Sequence, residues 1–412
     1  MGPNGRYLEG PIQSSGLGAG CFTRLGNAVC LILLLGYGVL WSGTVQQMGG
    51  SDNYVRHTPF LATITGARIV AAGTAPLLYD RPTQEAVQAI VLEADAGGTS
   101  FLPYREPPLA ALALAPFVGL GLPYSLIFTI WAVVTTTAAG LCIGLLAGRW
   151  PAPRGTPWLL MLAATSFLPL ISSLMLGQST VLVLLGGAGL TAGLKSRQDL
   201  AAGAVAALTA MQPVALVPIL VLLLAARRWA ALAGLAATLG GVSLVVAPWL
   251  GPTWLLQYAA LALAPAAPGG VALGLGALLT IGMFWLWRRQ PWQPATMAWD
   301  LRWAIGVLAG VLLISQEPAL ALVLAIVPGW IMAAQLANGR LPPAQRRFWL
   351  AWLWIGYAIG LGVALLPGAL LGGAVLWLLG ALGGGIWSLE GTRPAPSLSG
   401  DPGARGQAAS EA

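Results

Sequence analysis

Residues 107–149 read PPLAALALAPFVGLGLPYSLIFTIWAVVTTTAAGLCIGLLAGR, and no charged side chain occurs before Arg149. About 20 apolar residues are enough for one helix to cross the hydrocarbon core of a bilayer. The Leu122-Pro123 break predicts two helices here, because proline interrupts the helical hydrogen-bond ladder. The charge pattern on both sides requires an odd number of crossings, so one of the two helices is a candidate for a re-entrant segment.

The composition of the whole chain agrees with this stretch. Of 412 residues, 57% are hydrophobic and only 8% are charged, whereas soluble domains carry roughly 25% charged residues. A soluble fold with so few charges would expose apolar surface and aggregate. The composition therefore excludes a soluble enzyme, a nucleic-acid-binding protein and a disordered chain, and predicts an all-α polytopic membrane protein.

The positions of the basic residues set the expected topology. They form small groups between apolar runs, which is typical of cytoplasmic loops, and the net charge of +7 therefore indicates no nucleic-acid partner. We expect 11 to 13 transmembrane helices in the plasma membrane. The cytoplasmic groups are Arg149/Arg154, Lys195/Arg197, Arg227/Arg228, Arg288/Arg289 and Arg340/Arg346/Arg347.

These groups divide the chain into three parts. Residues 1–26 are predicted to be a cytoplasmic N-terminal segment, 27–388 the transmembrane domain and 389–412 a disordered cytoplasmic tail. The first apolar run, about 27–45, is too long for a cleaved signal peptide and is interpreted as a signal anchor.

Residues 46–106 form the one long polar segment and hold six of the 13 acidic residues. This extracytoplasmic first loop is predicted to contain two amphipathic helices lying on the membrane surface. The first, over 60–72, has Phe60, Ile64, Ala67 and Ala71 on one face. The second, over 83–95, has Val87, Ile90, Val91 and Ala94 on one face, with Asp80 or Thr83 as its N-cap.

Outer turns are predicted at Gly177-Gln178, Met211-Gln212-Pro213, about 249–269, Gln316-Glu317-Pro318 and Pro367-Gly368. The legs 199–211 and 213–226 are shorter than a full span, and short broken legs are tolerated only inside protein or along a cavity. We therefore expect Gln178 and Gln212 at the floor of an outward-facing cavity. The Gly140/Gly144/Gly148 and Gly189/Gly193 patterns predict close helix packing.

Two carboxylates are candidates for chemistry. Asp52 lies just beyond the first apolar run, where partial desolvation would raise its pKa towards that of a general base; the alternative is a solvated loop aspartate. Glu317 lies between two apolar runs, where a carboxylate is costly; its alternatives are an ion pair or a hydrated turn. For Asp300, near Arg302, a cap or an ion pair is the better interpretation.

Arg56, Arg68, Arg81 and Arg105 accompany the outer acids. They either form ion pairs there or hold an anionic lipid phosphate. His57 is the single histidine, and such a residue is more often a surface or hydrogen-bonded side chain than a ligand. No zinc, haem, P-loop or nucleophile-elbow spacing occurs, so we expect no metal and no cofactor.

The order of motifs along the chain resembles glycosyltransferase family 87, membrane enzymes of the GT-C fold that use polyprenyl-phosphate sugars. The resemblance covers roughly residues 28–350. The motifs that carry it are Asp52 after the first span, Leu78-Tyr79-Asp80, Tyr104-Arg105-Glu106-Pro107-Pro108, Ala115-Pro116, Leu122-Pro123, Trp131, Gly177-Gln178, Met211-Gln212-Pro213 and Arg227-Arg228-Trp229.

The resemblance implies an inverting transfer of a sugar, often mannose and sometimes arabinose, from a polyprenyl monophosphate. The acceptor would be a lipid-linked or glycan molecule on the outer face of a bacterial plasma membrane, and Asp52 would be the general base. In such an enzyme Arg105, Gln178 and Gln212 are placed to bind phosphate or sugar hydroxyls. The full set of candidate substrate-binding residues is Arg56, His57, Tyr104, Arg105, Glu106, Gln178, Gln212, Gln316 and Glu317.

Two positions differ from the family pattern. The family often has lysine before the proline of the 211–213 turn, where this chain has Gln212, and it often has Pro with His or Asp where this chain has Gln316-Glu317-Pro318. Because a neutral amide does not neutralise a phosphate, Arg56 or Arg105 would have to do so. A transporter or flippase for a lipid-linked or small substrate, and a non-catalytic member of the same fold, remain the alternatives.

Overall fold

The structure, a computed structural model, is helical wherever it assigns regular secondary structure. It describes residues 56, 58–92, 101–151, 157–262, 270–288, 296, 299–304, 306–307, 322–339 and 343–365. No strand occurs within these ranges, so the prediction of an all-α chain is confirmed for them. The predictions for residues 1–26, the signal anchor, the 367–368 turn and the 389–412 tail lie outside them.

Fourteen helices can be delimited within the described ranges. They are α1 Phe60–Ala71, α2 Arg81–Leu92, α3 Pro108–Gly119, α4 Tyr124–Arg149, α5 Pro157–Thr165, α6 Leu168–Met175, α7 Thr180–Lys195, α8 Asp199–Ala206, α9 Pro213–Ala225, α10 Trp229–Leu250, α11 Trp254–Ala262, α12 Gly270–Trp287, α13 Ile326–Ala337 and α14 Pro343–Leu365. Short 3-10 segments cover Ala75–Leu77, Ala207–Met211 and Leu322–Ala325.

Two of these helices, α4 and α10, are long and apolar enough to cross a membrane. Other apolar helices are shorter, including α7, α9 and α3. The break expected at Leu122-Pro123 separates α3 from α4. With 12 residues, α3 is only about 18 Å long, which is well short of a bilayer core.

The first-loop helix α1 differs from its predicted position on a surface. Most of its residues are buried, because α3 packs along one side and the start of α4 contacts it through the Phe60–Phe128 and Arg68–Tyr124 pairs. Gly66 leaves room for the Tyr104 ring, which precedes α3 in the chain, since a Cβ on Gly66 would lie 2.9 Å from that ring. Ala71, expected on the buried face, is exposed. The prediction of a surface-lying amphipathic helix over 60–72 is therefore wrong.

The second helix, α2, begins as expected at Asp80. The Asp80 carboxylate accepts hydrogen bonds from the Thr83 backbone N–H at 3.0 Å and the Thr83 hydroxyl at 2.6 Å. These bonds keep the pKa of Asp80 below its usual value. Its predicted apolar face is partly wrong, because Ile90 is 57% exposed while Gln84 and Gln88 are buried.

One end of the bundle gathers the basic groups, and we call it the basic end. It comprises Trp150 and Pro151, the 195–199 and 226–229 turns, residues 299–302 and the end of α13. Lys195 donates to both oxygens of Asp300, at 2.7 and 3.0 Å, and Gln335 donates to the same carboxylate at 2.8 Å. The ion pair expected for Asp300 therefore exists, with Lys195 as its partner.

Further contacts complete the basic end. The Lys195 ammonium lies 4.5 Å from the centre of the Trp150 ring. Arg228 forms an ion pair with Asp199 at 3.1 Å, and the Asn338 amide donates to the Pro151 carbonyl. The turns predicted from the basic residues 149, 195 and 227 are thus joined by direct contacts.

Glycine sets the closest helix contacts. A Cβ on Gly203 of α8 would lie 1.8 Å from the Ala231 carbonyl oxygen of α10, and one on Gly234 would lie 2.1 Å from the Leu200 oxygen. Gly189 and Gly193 likewise accept Val205 and Ala202 of α8, as expected. Gly140, Gly144 and Gly148 are exposed and meet no described atom within 4 Å, so close helix packing is not seen at these three positions within the described ranges.

The glycine contacts predict a position-dependent response to one methyl group. Gly203→Ala should destabilise the protein by about 1–3 kcal/mol, because α8 and α10 must separate to admit the Cβ. Gly144→Ala, the matched control on an open helix face, should be neutral or slightly stabilising. Thermal unfolding in detergent measures both variants. Equal melting temperatures would contradict the close α8–α10 contact.

The basic end predicts strong coupling between Lys195 and Asp300. Lys195→Met should cost about 3–5 kcal/mol, because it leaves a buried carboxylate without its cation; Asp300 is only 2% exposed. Lys195→Met/Asp300→Asn should recover most of that loss. Chemical denaturation of the two variants checks this, and a double variant no more stable than Lys195→Met would contradict it.

Candidate functional site

The opposite end of the bundle, which we call the turn end, carries the 177–179 and 211–213 turns and the described part of the first loop. Gly177 has φ +67°, a left-handed conformation that suits glycine. A Cβ there would lie 2.8 Å from Phe128 and 3.0 Å from Phe60. The Trp131 indole N–H donates to the Gly177 carbonyl at 2.8 Å. The start of α1 thus packs directly against the turn that carries Gln178.

A cluster of three tyrosines joins the first loop to the second turn. The Tyr79 ring centre lies 5.5 Å from that of Tyr258 and 6.1 Å from that of Tyr104. The Tyr258 hydroxyl donates to the carbonyl of Ala210 at 2.9 Å, two residues before Gln212. We call these three residues the tyrosine cluster; they bridge residues of the first loop, α11 and the 3-10 segment before Gln212.

Glu106 borders the tyrosine cluster. Its half-buried carboxylate accepts a hydrogen bond from the Thr63 hydroxyl at 3.4 Å, and its backbone carbonyl accepts one from the Tyr79 hydroxyl at 3.0 Å. Burial first, and then the charges of the neighbouring phenol and of Glu106, raise the pKa of Tyr79 and of Tyr104 far above the usual range. Both phenols therefore remain protonated donors beside a carboxylate.

Residues 101–107 carry Tyr104, Arg105 and Glu106 and have no helix or strand of their own. Two glutamines of α2 hold this segment. Gln84 accepts from the Tyr104 N–H at 2.9 Å and donates to the Leu78 carbonyl at 2.7 Å. Gln88 both donates to and accepts from the Leu102 backbone at 3.0 Å. These side chains satisfy backbone groups that would otherwise be buried without partners, which explains why α2 buries amides in place of Ile90.

The turns that carry Gln178 and Gln212 are in contact, and an outward-facing cavity above them stays a prediction. The Gln212 amide donates to the hydroxyl of Thr180, two residues after Gln178, at 3.1 Å. The Gln178 side chain is buried and that of Gln212 half-buried. The Gln212 side-chain carbonyl is buried and accepts no hydrogen bond from the described part of the chain.

The four arginines predicted to lie in the first loop differ in their contacts. Arg81 forms an exposed ion pair with Glu85 at 2.7 Å, and Arg68 donates to the Tyr124 hydroxyl. Arg56 and Arg105 are half-buried at the turn end. For Arg81 the ion-pair alternative is therefore the observed one, while binding of a phosphate by Arg56 or Arg105 stays a prediction.

Of the ten residues predicted to act at the site, six are described: Arg56, Tyr104, Arg105, Glu106, Gln178 and Gln212. Tyr104 acts structurally, since its hydroxyl donates to the Pro107 carbonyl at 2.6 Å and accepts from the Ala111 N–H. Asp52, His57, Gln316 and Glu317 lie outside the described residues. Among the residues that are described, no group of three or more His, Cys, Asp or Glu side chains could hold a metal ion.

Sequence reasoning missed Gln84, Gln88, Thr63 and Tyr258. The two glutamines sit four residues apart on α2, and such a pair on an otherwise apolar face is the one signal that could have indicated them. Thr63 and Tyr258 offered no signal, because each acts through a contact distant in sequence.

The hydrogen bonds of Gln84 predict that α2 keeps residues 101–107 in place. Gln84→Met should cost about 1–3 kcal/mol, because the Tyr104 N–H and the Leu78 carbonyl lose their partner in a buried place. Glu85→Met, at the neighbouring exposed position of the same helix, is the control and should have little effect. Hydrogen exchange should show faster exchange at the Tyr104 amide only in Gln84→Met; unchanged exchange there would contradict the assignment.

Comparison with known proteins identifies no relative of this chain. No family model matches the chain, and no curated protein or solved structure is found to be similar to it.

Proposed function

We propose that the chain is a polytopic protein of the bacterial plasma membrane, with the basic end in the cytoplasm and the turn end outside. The contacts described above support this arrangement, because cationic residues collect at one end of an apolar bundle, as they do on the cytoplasmic side of membrane proteins. The helices α4 and α10 are long enough to span. The predicted 11 to 13 spans are part of this proposal.

The proposed reaction is the inverting transfer of a sugar, mannose or arabinose, from a polyprenyl monophosphate to a lipid-linked or glycan acceptor. One observation carries it: first-loop residues and the two glutamine turns meet at the end opposite the basic residues. Phe60 packs against Gly177, and the Tyr258 hydroxyl donates to the Ala210 carbonyl, so these segments are in direct contact. A half-buried polar site at the end of an apolar bundle suits a substrate with a lipid tail and a sugar head.

In the proposed mechanism Asp52 removes the proton of the acceptor hydroxyl. The hydroxyl oxygen then attacks the anomeric carbon of the donor sugar from the side opposite the phosphate, forming the new glycosidic bond. The bond between that carbon and the phosphate oxygen breaks, and its electrons leave with the polyprenyl phosphate. Asp52 is four residues before Arg56, so chain length alone keeps their Cα atoms within about 14 Å.

The remaining groups of the turn end would bind the two substrates. The buried side-chain carbonyl of Gln212 can accept a hydrogen bond from a sugar hydroxyl. The guanidinium groups of Arg56 and Arg105 suit the oxygens of the leaving phosphate, since arginine binds phosphate through paired hydrogen bonds. These two arginines would neutralise the phosphate, because Gln212 stands where the family often has a lysine. His57, Gln316 and Glu317 remain candidate contacts in the same proposal.

The proposed base predicts a selective loss of catalysis. Asp52→Asn should lower the rate of sugar transfer by at least about a hundredfold, the usual contribution of a general base, while donor binding persists. The assay follows label from polyprenyl-phosphate-[14C]mannose into a new lipid. Asp80→Asn is the matched control in the same loop and should keep near-normal activity, because asparagine also caps helices well.

Other outcomes separate the alternatives. Normal transfer by Asp52→Asn, with a larger loss in Glu106→Gln, would assign the base to Glu106 instead. Donor binding without transfer by the native protein, with any polyprenyl-phosphate pentose or hexose, would favour a non-catalytic member of the fold. Net movement of an intact lipid-linked sugar across a vesicle membrane would favour the flippase.

A further inference from the structure

A groove opens at the basic end, away from the site proposed for sugar transfer. It lies where the end of α9, the start of α10 and the end of α12 meet, and its volume is about 320 Å³. Its lining residues are Leu224, Ala225, Arg227, Trp229, Phe284 and Arg288. The groove thus combines two cations with apolar and aromatic side chains.

The two arginines differ from their neighbour Arg228. Arg228 forms an ion pair with Asp199, whereas neither Arg227 nor Arg288 forms an ion pair with any carboxylate in the described part of the chain. The Arg288 guanidinium lies 3.7 Å from the centre of the Trp285 ring. Stacking of this kind occupies the face of a guanidinium and leaves the N–H groups at its edge for an anion.

The backbone places Arg227 in the turn between α9 and α10. Arg227 has φ +54°, a left-handed conformation at the end of α9 where glycine is usual. Residues with a Cβ are disfavoured in this conformation, which Arg197 at the end of α7 also adopts. The N-terminal end of α10, with its partial positive charge, starts two residues later and adds to the attraction for an anion.

The surroundings of the groove favour a lipid over a soluble anion. Trp229 is 64% exposed, and Trp285 is also exposed; tryptophan collects at the level of lipid headgroups. Leu278, Ile281 and Trp285 are exposed and, at spacings of three and four residues, share one face of α12. This face leads from Arg288 towards the middle of the helix and offers an apolar surface to an acyl chain.

We propose that this groove binds the phosphate of an anionic phospholipid in the leaflet at the basic end. Arg227 and Arg288 hold the phosphate oxygens, Trp229 and Phe284 lie against the glycerol region, and one acyl chain follows α12. Basic pockets between helices on the cytoplasmic side are a known way of binding such headgroups. The proposal depends on the membrane topology and not on the sugar-transfer chemistry at the opposite end.

The test measures lipid binding by the full-length protein in mild detergent, using native mass spectrometry and thermal unfolding. Phosphatidylglycerol, phosphatidylcholine and inorganic phosphate are compared at equal concentrations. We expect saturable binding and a raised melting temperature with phosphatidylglycerol only. Arg227→Gln/Arg288→Gln should weaken this binding about tenfold or more, as expected for the loss of two charge-assisted hydrogen bonds.

The control is Arg346→Gln/Arg347→Gln, which removes two exposed arginines at the start of α14 and should bind like the native protein. Equal weakening in control and groove variants would overturn the proposal, as would equal stabilisation by phosphatidylcholine. If inorganic phosphate raised the melting temperature as much as phosphatidylglycerol does, the groove would be a site for a free anion and the lipid proposal would be overturned. If the groove variant does not fold, the salt dependence of phosphatidylglycerol binding by the native protein is measured instead. The affinity should fall as salt is raised, because salt screens the arginine charges. An affinity that does not change with salt would contradict the arginine contacts.

Discussion

Charged side chains cannot remain unpaired inside an apolar helical bundle, and this constraint organises the rest of the structure. Removing one ion from water costs several kcal/mol unless a partner of good geometry is present. The chain meets this constraint at the basic end, where Lys195, Asp300 and Gln335 join three helical segments distant in sequence. The turns between helices therefore alternate between an end rich in cations and an end rich in amides and phenols.

The turn end shows how side chains can hold a polar site at the end of such a bundle. Its backbone is held by glutamine side chains from α2, and its first-loop helix by the fit of Phe60 against a glycine. The glutamines give buried backbone groups their hydrogen-bond partners, and the glycine leaves room for the Phe60 ring. The result is a carboxylate, Glu106, beside phenols whose raised pKa keeps them protonated. The phenol hydroxyls donate to the backbone carbonyls of Glu106 and Pro107, so they hold residues 101–107 in place beside this carboxylate.

Local rules predicted much of this structure from the sequence. The Asp80 cap, the break before α4 and the turn at Gln212 depend on neighbouring residues, and each was confirmed. The burial of Gln84 and the exposure of Gly144 could not be predicted, because both depend on what another segment brings into contact. The same is true of the choice of Lys195 over Arg302 as the partner of Asp300, since those contacts span 105 residues of sequence.

The central claim is that the turn end faces outwards and the basic end faces the cytoplasm. Cysteine accessibility in intact cells tests this claim most directly, in a background where Cys21, Cys30 and Cys142 are replaced by alanine. Leu120→Cys, at a turn-end position that is 75% exposed, should react with a membrane-impermeant maleimide in intact cells. Gln198→Cys, exposed at the basic end, should react only after permeabilisation. The reverse pattern, or equal labelling of both in intact cells, would contradict the account.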